Sequence, residues 1–341
     1  MIRRAKIMQT QRASAPGCCA LALGVAAASS LPASAHHSAA VYDMETILTL
    51  RGTVSQLEWK NPHVYVFVDV ADESGQTVRW ALEGESTALM ARGGWSPTAL
   101  TPGDRVSVRV NRSRKPGRYE ARLTALITAD GTVLRRRAAS IAPAVAADGL
   151  AGVWDALRGY EAFEFNRGGV TERGAAALGT FDERSSPVQN CLAFPAPIVT
   201  FLPYRNEIEL AGDRIYLRSE YFSVERVVYM DGRGHPDNGE RTDQGHSIGY
   251  WDGDVLVVDT ALFSDHALGH FRGLPSGAQK HLIERFELSE NRTKITVEFV
   301  VEDPEYLLEP WAGQIVWDYA PDGEMLPFVC DPEVARRFAE E

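Results

Sequence analysis

Cysteine is scarce in this chain, basic charge is in deficit, and long apolar runs are missing. Four cysteines in 341 residues exclude a small scaffold held by many disulfides, and no two of them have the C-x-x-C spacing of a zinc or redox site. Lys and Arg number 35 against 46 Asp and Glu, a net charge of −11, which argues against a general nucleic-acid binder. No segment approaches the roughly 20 consecutive apolar residues that a membrane-crossing helix needs, so no membrane span is expected. A glycine-rich phosphate loop and an H-E-x-x-H pattern are missing and no strand-to-helix nucleophile elbow is read, so those enzyme classes gain no support. What is there is ordinary globular composition, with 45% apolar and 24% charged residues. At roughly 100–200 residues per domain the length suggests two domains, each large enough to bury a core.

The charge is unevenly spread. Residues 1–35 carry +4, residues 36–140 carry +3 and residues 141–341 carry −18. The first block, 1–35, reads as a secretory signal peptide. Arg3, Arg4, Lys6 and Arg12 form a basic start, Cys18 to Leu31 an apolar run of small residues, and Ala33-Ser34-Ala35 a cleavage box with the cut before His36. An exported protein is expected, in the periplasm rather than the medium. Its mature chain keeps Cys191 and Cys330, which in an oxidising compartment read as one disulfide. That bridge would close a loop of about 140 residues, worth roughly 3–5 kcal/mol by loop entropy. A metal-bound or catalytic thiol is the alternative.

Two β-rich regions follow. Thr49–Trp59, His63–Val70 and Thr77–Leu82 alternate as strands, Ser86 caps a short helix over Thr87–Arg92, and Arg105–Val110 and Tyr119–Ala129 complete the set. Three strands, a helix and two strands is the order of an OB-like five-stranded barrel, placed at 36–137. Arg109, Arg112, Arg114, Lys115 and Arg118 surround one hairpin; with no aromatic interleaved, they read as a solvated tip rather than a polyanion site. Ala138 to Ala147 is a linker. Residues 148–341 hold a helix candidate at Glu172–Leu178 and a run of strands: Glu207–Ala211, Arg214–Tyr221, Val224–Met230, His246–Trp251, Asp254–Ala261, His281–Leu288, Lys294–Val301, Trp311–Tyr319 and Met325–Cys330. Turn residues join them, most sharply at Asp252-Gly253. The expected fold is an up-and-down, lipocalin-like antiparallel barrel or strongly curved sheet with a ligand-sized interior; a two-sheet sandwich is the alternative.

The motifs Ala35-His36-His37-Ser38, Leu50-Arg51-Gly52-Thr53-Val54 and Trp59-Lys60-Asn61-Pro62-His63 resemble a family of exported bacterial OB-like domains of unknown function. Asp231-Gly232-Arg233, His235-Pro236, Gly245-His246-Ser247-Ile248-Gly249, Gly253-Asp254, Leu256-Val257-Val258-Asp259-Thr260 and Glu284-Arg285-Phe286 resemble a second exported family without an established activity. Neither resemblance implies a reaction.

Strand parity places Glu284 on an apolar face with Leu282 and Phe286, and Arg226 on the face of Val224, Val228 and Met230. A lone buried carboxylate is costly, so an interior Glu284 predicts an interior cation, best supplied by Arg226. On a functional reading Arg226, Asp231, Arg233, His235, His246, Asp259 and Glu284 converge at one open end of the barrel. Glu284, His246 and Asp259 would then move protons, and Arg226, Asp231, Arg233 and His235 would bind ligand. On a structural reading, Asp231 to Pro236 is a hydrogen-bonded loop and Arg226–Glu284 a core pair.

Histidine offers a different route. A chain starting at His36 presents an amine and its own imidazole, a chelate that suits copper, with His63 completing it; the plain alternative is a hydrated terminus. His266 and His270 with His281 form another metal-like set, but glycines interrupt their segment. No other cofactor is implied. The expectation is an exported protein whose second barrel binds a small, partly apolar organic ligand, with cofactor-independent isomerase, cyclase or lyase chemistry as an extension. The alternative is a copper-binding or envelope-interaction protein working through His36 and the OB-like domain.

Overall fold

Residues 41–138, 144–164, 168–182 and 186–337 are described by the structure, a computed structural model. The first barrel contains β1 (Leu48–Glu58), β2 (Tyr65–Ala71), β3 (Thr77–Glu83), α1 (Thr87–Arg92), β4 (Arg105–Arg112) and β5 (Glu120–Thr128), followed by the short β6 (Val133–Arg135). Alternation explains it: Val54, Val66, Val68, Leu82, Val106, Val108, Val110 and Leu123 all point inward and are buried. The antiparallel order β3-β2-β1-β4-β5 closes through a parallel β3–β5 pairing. Helix α1 starts where Ser86 Oγ accepts from Leu89 N. Its end approaches β6 so closely that a Cβ on Gly93 would lie 1.9 Å from the Arg135 carbonyl oxygen, so only glycine fits there.

The second barrel begins with β7 (Gly152–Asp155), α2 (Leu157–Ala162), α3 (Glu172–Thr180) and α4 (Ile198–Phe201). Eight further strands follow: β8 (Arg205–Ala211), β9 (Arg214–Ser219), β10 (Val224–Tyr229), β11 (His246–Asp252), β12 (Val255–Ala261), β13 (His281–Leu288), β14 (Lys294–Glu302) and β15 (Trp311–Tyr319). They close in the order β10-β11-β12-β13-β14-β15-β7-β8-β9. The protein is therefore all-β, with a five-stranded and a nine-stranded barrel. One junction departs from the up-and-down pattern: β10 and β11 pair in parallel, over Val228↔Ser247 and Tyr229↔Ile248. The turn-like stretch 230–245 lets the chain return to the same end before β11 starts.

Two expectations need correction. Met325–Cys330 is not a barrel strand. It leaves the second barrel and reaches the first, where Cys330 bridges to Asn61 and Asp331 N donates to the Asn61 carbonyl at 2.8 Å. The ladder position it was expected to fill belongs to β7, four residues long and too short to show a period. Among the described residues the interior is also filled by packed side chains instead of forming an open ligand chamber. The 194–204 segment is driven inside, with Ile198, Val199, Thr200 and Phe201 all buried. Trp317 Nε1 donates to the Thr200 carbonyl at 3.0 Å, Lys280 Nζ to the Ala196 carbonyl at 2.6 Å, and Phe201 stacks on Phe163 and Phe299. The barrel packs its own chain where a ligand was expected.

Cys191 and Cys330 form a disulfide across 139 residues, with Cα atoms 5.8 Å apart. It anchors α5 (Pro332–Arg336) and the segment before it. Arg337 then pairs with Glu58 at 2.6 Å and covers the Tyr65 ring at 4.7 Å, while Lys60 meets Asp331 at 2.7 Å. On the same interface the fully buried Glu220 takes a bidentate pair from Arg92, at 2.6 and 2.9 Å, and accepts from Leu326 N. No helix among the described residues is long and apolar enough to cross a membrane.

Candidate ligand site

Strand parity divides the sequence-derived candidates between two sides of the barrel wall. Inside, Arg226 Nη2 donates to Glu284 Oε2 at 2.5 Å, with side chains 2% and 0% exposed. Outside, His235 Nε2 and His281 Nε2 both meet Asp259 Oδ1, at 3.1 and 2.7 Å, and His235 Nδ1 meets His246 Nδ1 at 2.9 Å. Pairing requires this split. Glu284 lies opposite inward Val258, while Asp259 lies opposite Ile283 and Ile248, one residue out of phase. Asp231 and Arg233 pair with each other in an exposed loop, Nε to Oδ1 at 2.8 Å, with the guanidinium over the Tyr229 ring at 4.1 Å, and the guanidinium holds the Asp231 carboxyl down to about 2. The expected convergence of Glu284, His246 and Asp259 is therefore corrected. They share a region of the sheet but face opposite ways, and Arg226 stays with Glu284.

The metal candidates are also separated. His36 lies outside the described residues. His63 Nδ1 is engaged by Glu83 Oε1 at 3.0 Å and faces the Gly84 carbonyl at 3.3 Å. His270 Nε2 is buried on Asp303 Oδ2 at 2.7 Å, His266 Nδ1 accepts from Leu268 N, and His281 is on the outer wall. Among the described residues no three His, Cys, Asp or Glu are placed to hold one ion.

A different group of residues does converge, between the two barrels, around a partly enclosed cavity of about 200 Å3. The first barrel contributes the polar side. Glu83 and Glu85 leave the end of β3, His63 comes from the β1–β2 connection, and Arg122 projects from β5. Arg136 and Arg137 follow β6. Local bonds set these positions: Asn61 Oδ1 accepts from Thr87 N at 2.9 Å, fixing the β1–β2 connection to α1. Arg135 N donates to the Gly93 carbonyl, and Trp95 Nε1 to the Arg135 carbonyl at 2.9 Å, so the next two arginines are carried against β3. All three guanidiniums gather on Glu85 Oε1, Arg137 at 2.9 Å, Arg122 at 3.8 Å and Arg136 in direct contact. Tyr42 donates its hydroxyl to Glu83 Oε2, on the carboxylate that holds His63.

The second barrel contributes an aromatic and apolar wall. Phe194 stacks on Tyr221 at 5.9 Å between centroids and meets Phe271 edge-on at 5.2 Å; Tyr204 packs on Tyr221 at 5.1 Å. Phe271 is held at φ 61°, a conformation that costs a bulky residue about 1–3 kcal/mol and that the surrounding contacts must impose. Burial pushes the Tyr204 and Tyr221 hydroxyls upward, so both remain neutral phenols. At His63 burial is the strongest single influence and acts downward. The Glu83 charge and hydrogen bond, with Glu85 and the Gly84 carbonyl, outweigh it and raise the imidazole to about 9. Burial and the neighbouring Arg122 and Arg137 lower Arg136 to about 10, against the opposing pull of Glu85.

A wider groove of about 1020 Å3 lies nearby, lined by Trp59, Trp95, Pro97, Pro327 and Val329. It is open, and Val329 is 78% exposed. Lys60–Asp331, on its wall, is already paired, so it lacks the converging charges of the smaller cavity. Sequence reading missed the smaller site because Arg135 to Arg137 looked like the start of a linker. Its aromatic wall lies in the 194–204 segment and at isolated positions with no strand period. The available signal was Glu83-Gly84-Glu85, two acidic residues ending an apolar strand beside a later run of arginines.

Residues 24–121 match a family of unknown function (DUF6152), a stretch that runs from before the described residues to the start of β5. No curated protein matches the chain.

Proposed function

We propose that this protein binds a small, partly apolar organic molecule in the cavity between its two barrels. The observation that carries this reading is the division of the cavity wall, aromatic on one side and ionic on the other, which is the usual make-up of a small-molecule site. Its volume suits one ring with a polar substituent, since an apolar cavity of about 150 Å3 takes up benzene. Binding is favoured over proton transfer. His63 is raised to about 9 and Arg136 stands at about 10, so both are held as cationic donors at neutral pH. A general acid or base works best with a pKa near the working pH. The expected acid–base set of Glu284, His246 and Asp259 gains no support, because the barrel wall lies between its members. The motifs that resemble a second exported family supply no substrate.

The test is uptake of small monocyclic aromatics measured by calorimetry. Leu202→Trp, which fills the space from the second-barrel side, should abolish uptake while the thermal transition remains cooperative. Undiminished uptake by that folded variant would remove the reading. We also propose export to the periplasm with cleavage before His36. N-terminal sequencing of the exported protein checks it, and a different start would also remove the copper chelate at His36.

A further inference from the structure

Resting on that cavity, the geometry points to an organic anion as its ligand class: a carboxylate seated on Arg122, Arg136 and Arg137, with its apolar body against Tyr204, Tyr221 and Phe194. Among the described residues, the polar wall holds more cation than its carboxylates neutralise. Three guanidiniums share the single oxygen Glu85 Oε1, and a guanidinium carries far more N–H donors than one third of a carboxylate oxygen can accept. The second carboxylate on the wall, Glu83, is committed to Tyr42 and His63. Arg122 shows how weakly some of these donors are served: its Nη1 is directed at the Met44 thioether at 3.7 Å, and sulfur is a poor acceptor.

The surroundings make this excess count. The side chains of Arg122, Arg136 and Arg137 are 22%, 17% and 19% exposed, and Glu85 is 13% exposed, so bulk water and salt screen them only in part. Planar guanidiniums meet a carboxylate through paired N–H···O bonds, whereas an ammonium would act as a point charge. Burial first, and then the neighbouring cations Arg122 and Arg137, lower the pKa of Arg136. An incoming anion relieves that crowding. The opposite wall offers ring faces and the undissociated phenols of Tyr204 and Tyr221, which suit a flat apolar body better than a second charge. A dianion or a sugar would leave polar groups against Phe194 and Leu202 without partners. The ligand class is therefore a monoanion, an aromatic or short aliphatic carboxylate.

The experiment compares benzoate, phenylacetate and hexanoate with benzyl alcohol, phenylethanol and hexanol by calorimetry on the full mature protein. Each acid should bind about tenfold or more tightly than its alcohol, the return expected from at least one charge-assisted hydrogen bond. Arg137→Met keeps the apolar stem and should erase most of that preference, lowering acid affinity far more than alcohol affinity. Glu85→Gln removes the internal competitor, so acid binding should strengthen about tenfold, an effect that damage to the fold would not produce. Equal affinity for acids and alcohols, or weaker acid binding in folded Glu85→Gln, overturns the anion assignment and leaves the cavity reading in place. If neither series binds, both fall together.

Discussion

The interior pair Arg226–Glu284 offers the sharpest stability test, because its two halves should behave very differently apart and together. Both side chains are sealed, at 2% and 0% exposure, and only Nη2–H···Oε2 links them. Arg226 Nη1 and Glu284 Oε1 are buried without partners. Replacing only Arg226 with Met leaves a carboxylate uncompensated in the core, at a cost of about 3–5 kcal/mol. For a domain of this size that is roughly a 6–20 °C fall in Tm, at about 2–4 °C per kcal/mol. Replacing only Glu284 with Leu strands the guanidinium at a similar cost. The double replacement R226M/E284L removes both desolvated charges and both orphaned atoms, so it should recover most of the loss and come within about 1 kcal/mol of the parent or exceed it. Thermal and urea unfolding of the four proteins form a double-mutant cycle. A double variant less stable than either single one would refute the reasoning, as would an Arg226→Met protein with an unchanged Tm. Because the pair lies inside the barrel and away from the inter-barrel cavity, small-molecule uptake by the double variant should equal that of the parent.

Other expectations follow from the interface. His63 is raised from 6.5 to about 9, so its contribution, on the order of 2–3 kcal/mol, is fully present below pH 6.5 and is lost as pH rises through 9. Unfolding free energy measured from pH 6 to 10 should decline across that window, and His63→Gln should flatten the decline; an identical slope in both proteins would refute it. Opening the Cys191–Cys330 bridge should cost about 3–5 kcal/mol by loop entropy across its 139-residue separation. Reduction under mild denaturant, followed by fluorescence, reads this directly, and an unshifted midpoint would contradict it. Arg92→Met leaves Glu220 buried against Leu326 N and should destabilise by about 3–5 kcal/mol, whereas Arg79→Met, which breaks an exposed pair with Asp69, should change stability by less than about 1 kcal/mol.

Much of the fold was legible because strand alternation is a local signal. Thr87–Arg92 with its Ser86 cap, His281–Leu288 and Trp311–Tyr319 coincide with observed elements. The same logic predicted the interior cation for Glu284, and Arg226 is there. Parity fails at the next level: it tells which residues share a face, but not which face is the core when both carry apolar side chains. Asp259 shares its face with Val255 and Val257 and still looks outward, because Val257 is covered from outside while Leu256 and Val258 fill the interior. The 194–204 segment escaped notice for a related reason. Its apolar residues have no period, so nothing local says they enter a barrel. The inter-barrel cavity depends on contacts between residues more than one hundred positions apart, as with Arg92 and Glu220, and such pairings leave no trace in a single sequence.

The C-terminal segment that pairs with Asn61 also has a mechanical consequence. Two bodies joined by one tether can swivel, and a space between them opens and shuts with the motion. Here the barrels are joined once by their succession along the chain and again at 330–337, where Asp331 and Arg337 fasten to Asn61, Lys60 and Glu58. Two attachments at separate points remove the hinge. The gap between the barrels should then keep a fixed width, and a guest of the proposed kind would be spared the cost of drawing its walls together. The sequence boundary between the barrels is consequently not a mechanical one: cutting the chain between β6 and β7 should leave the buckle fastened.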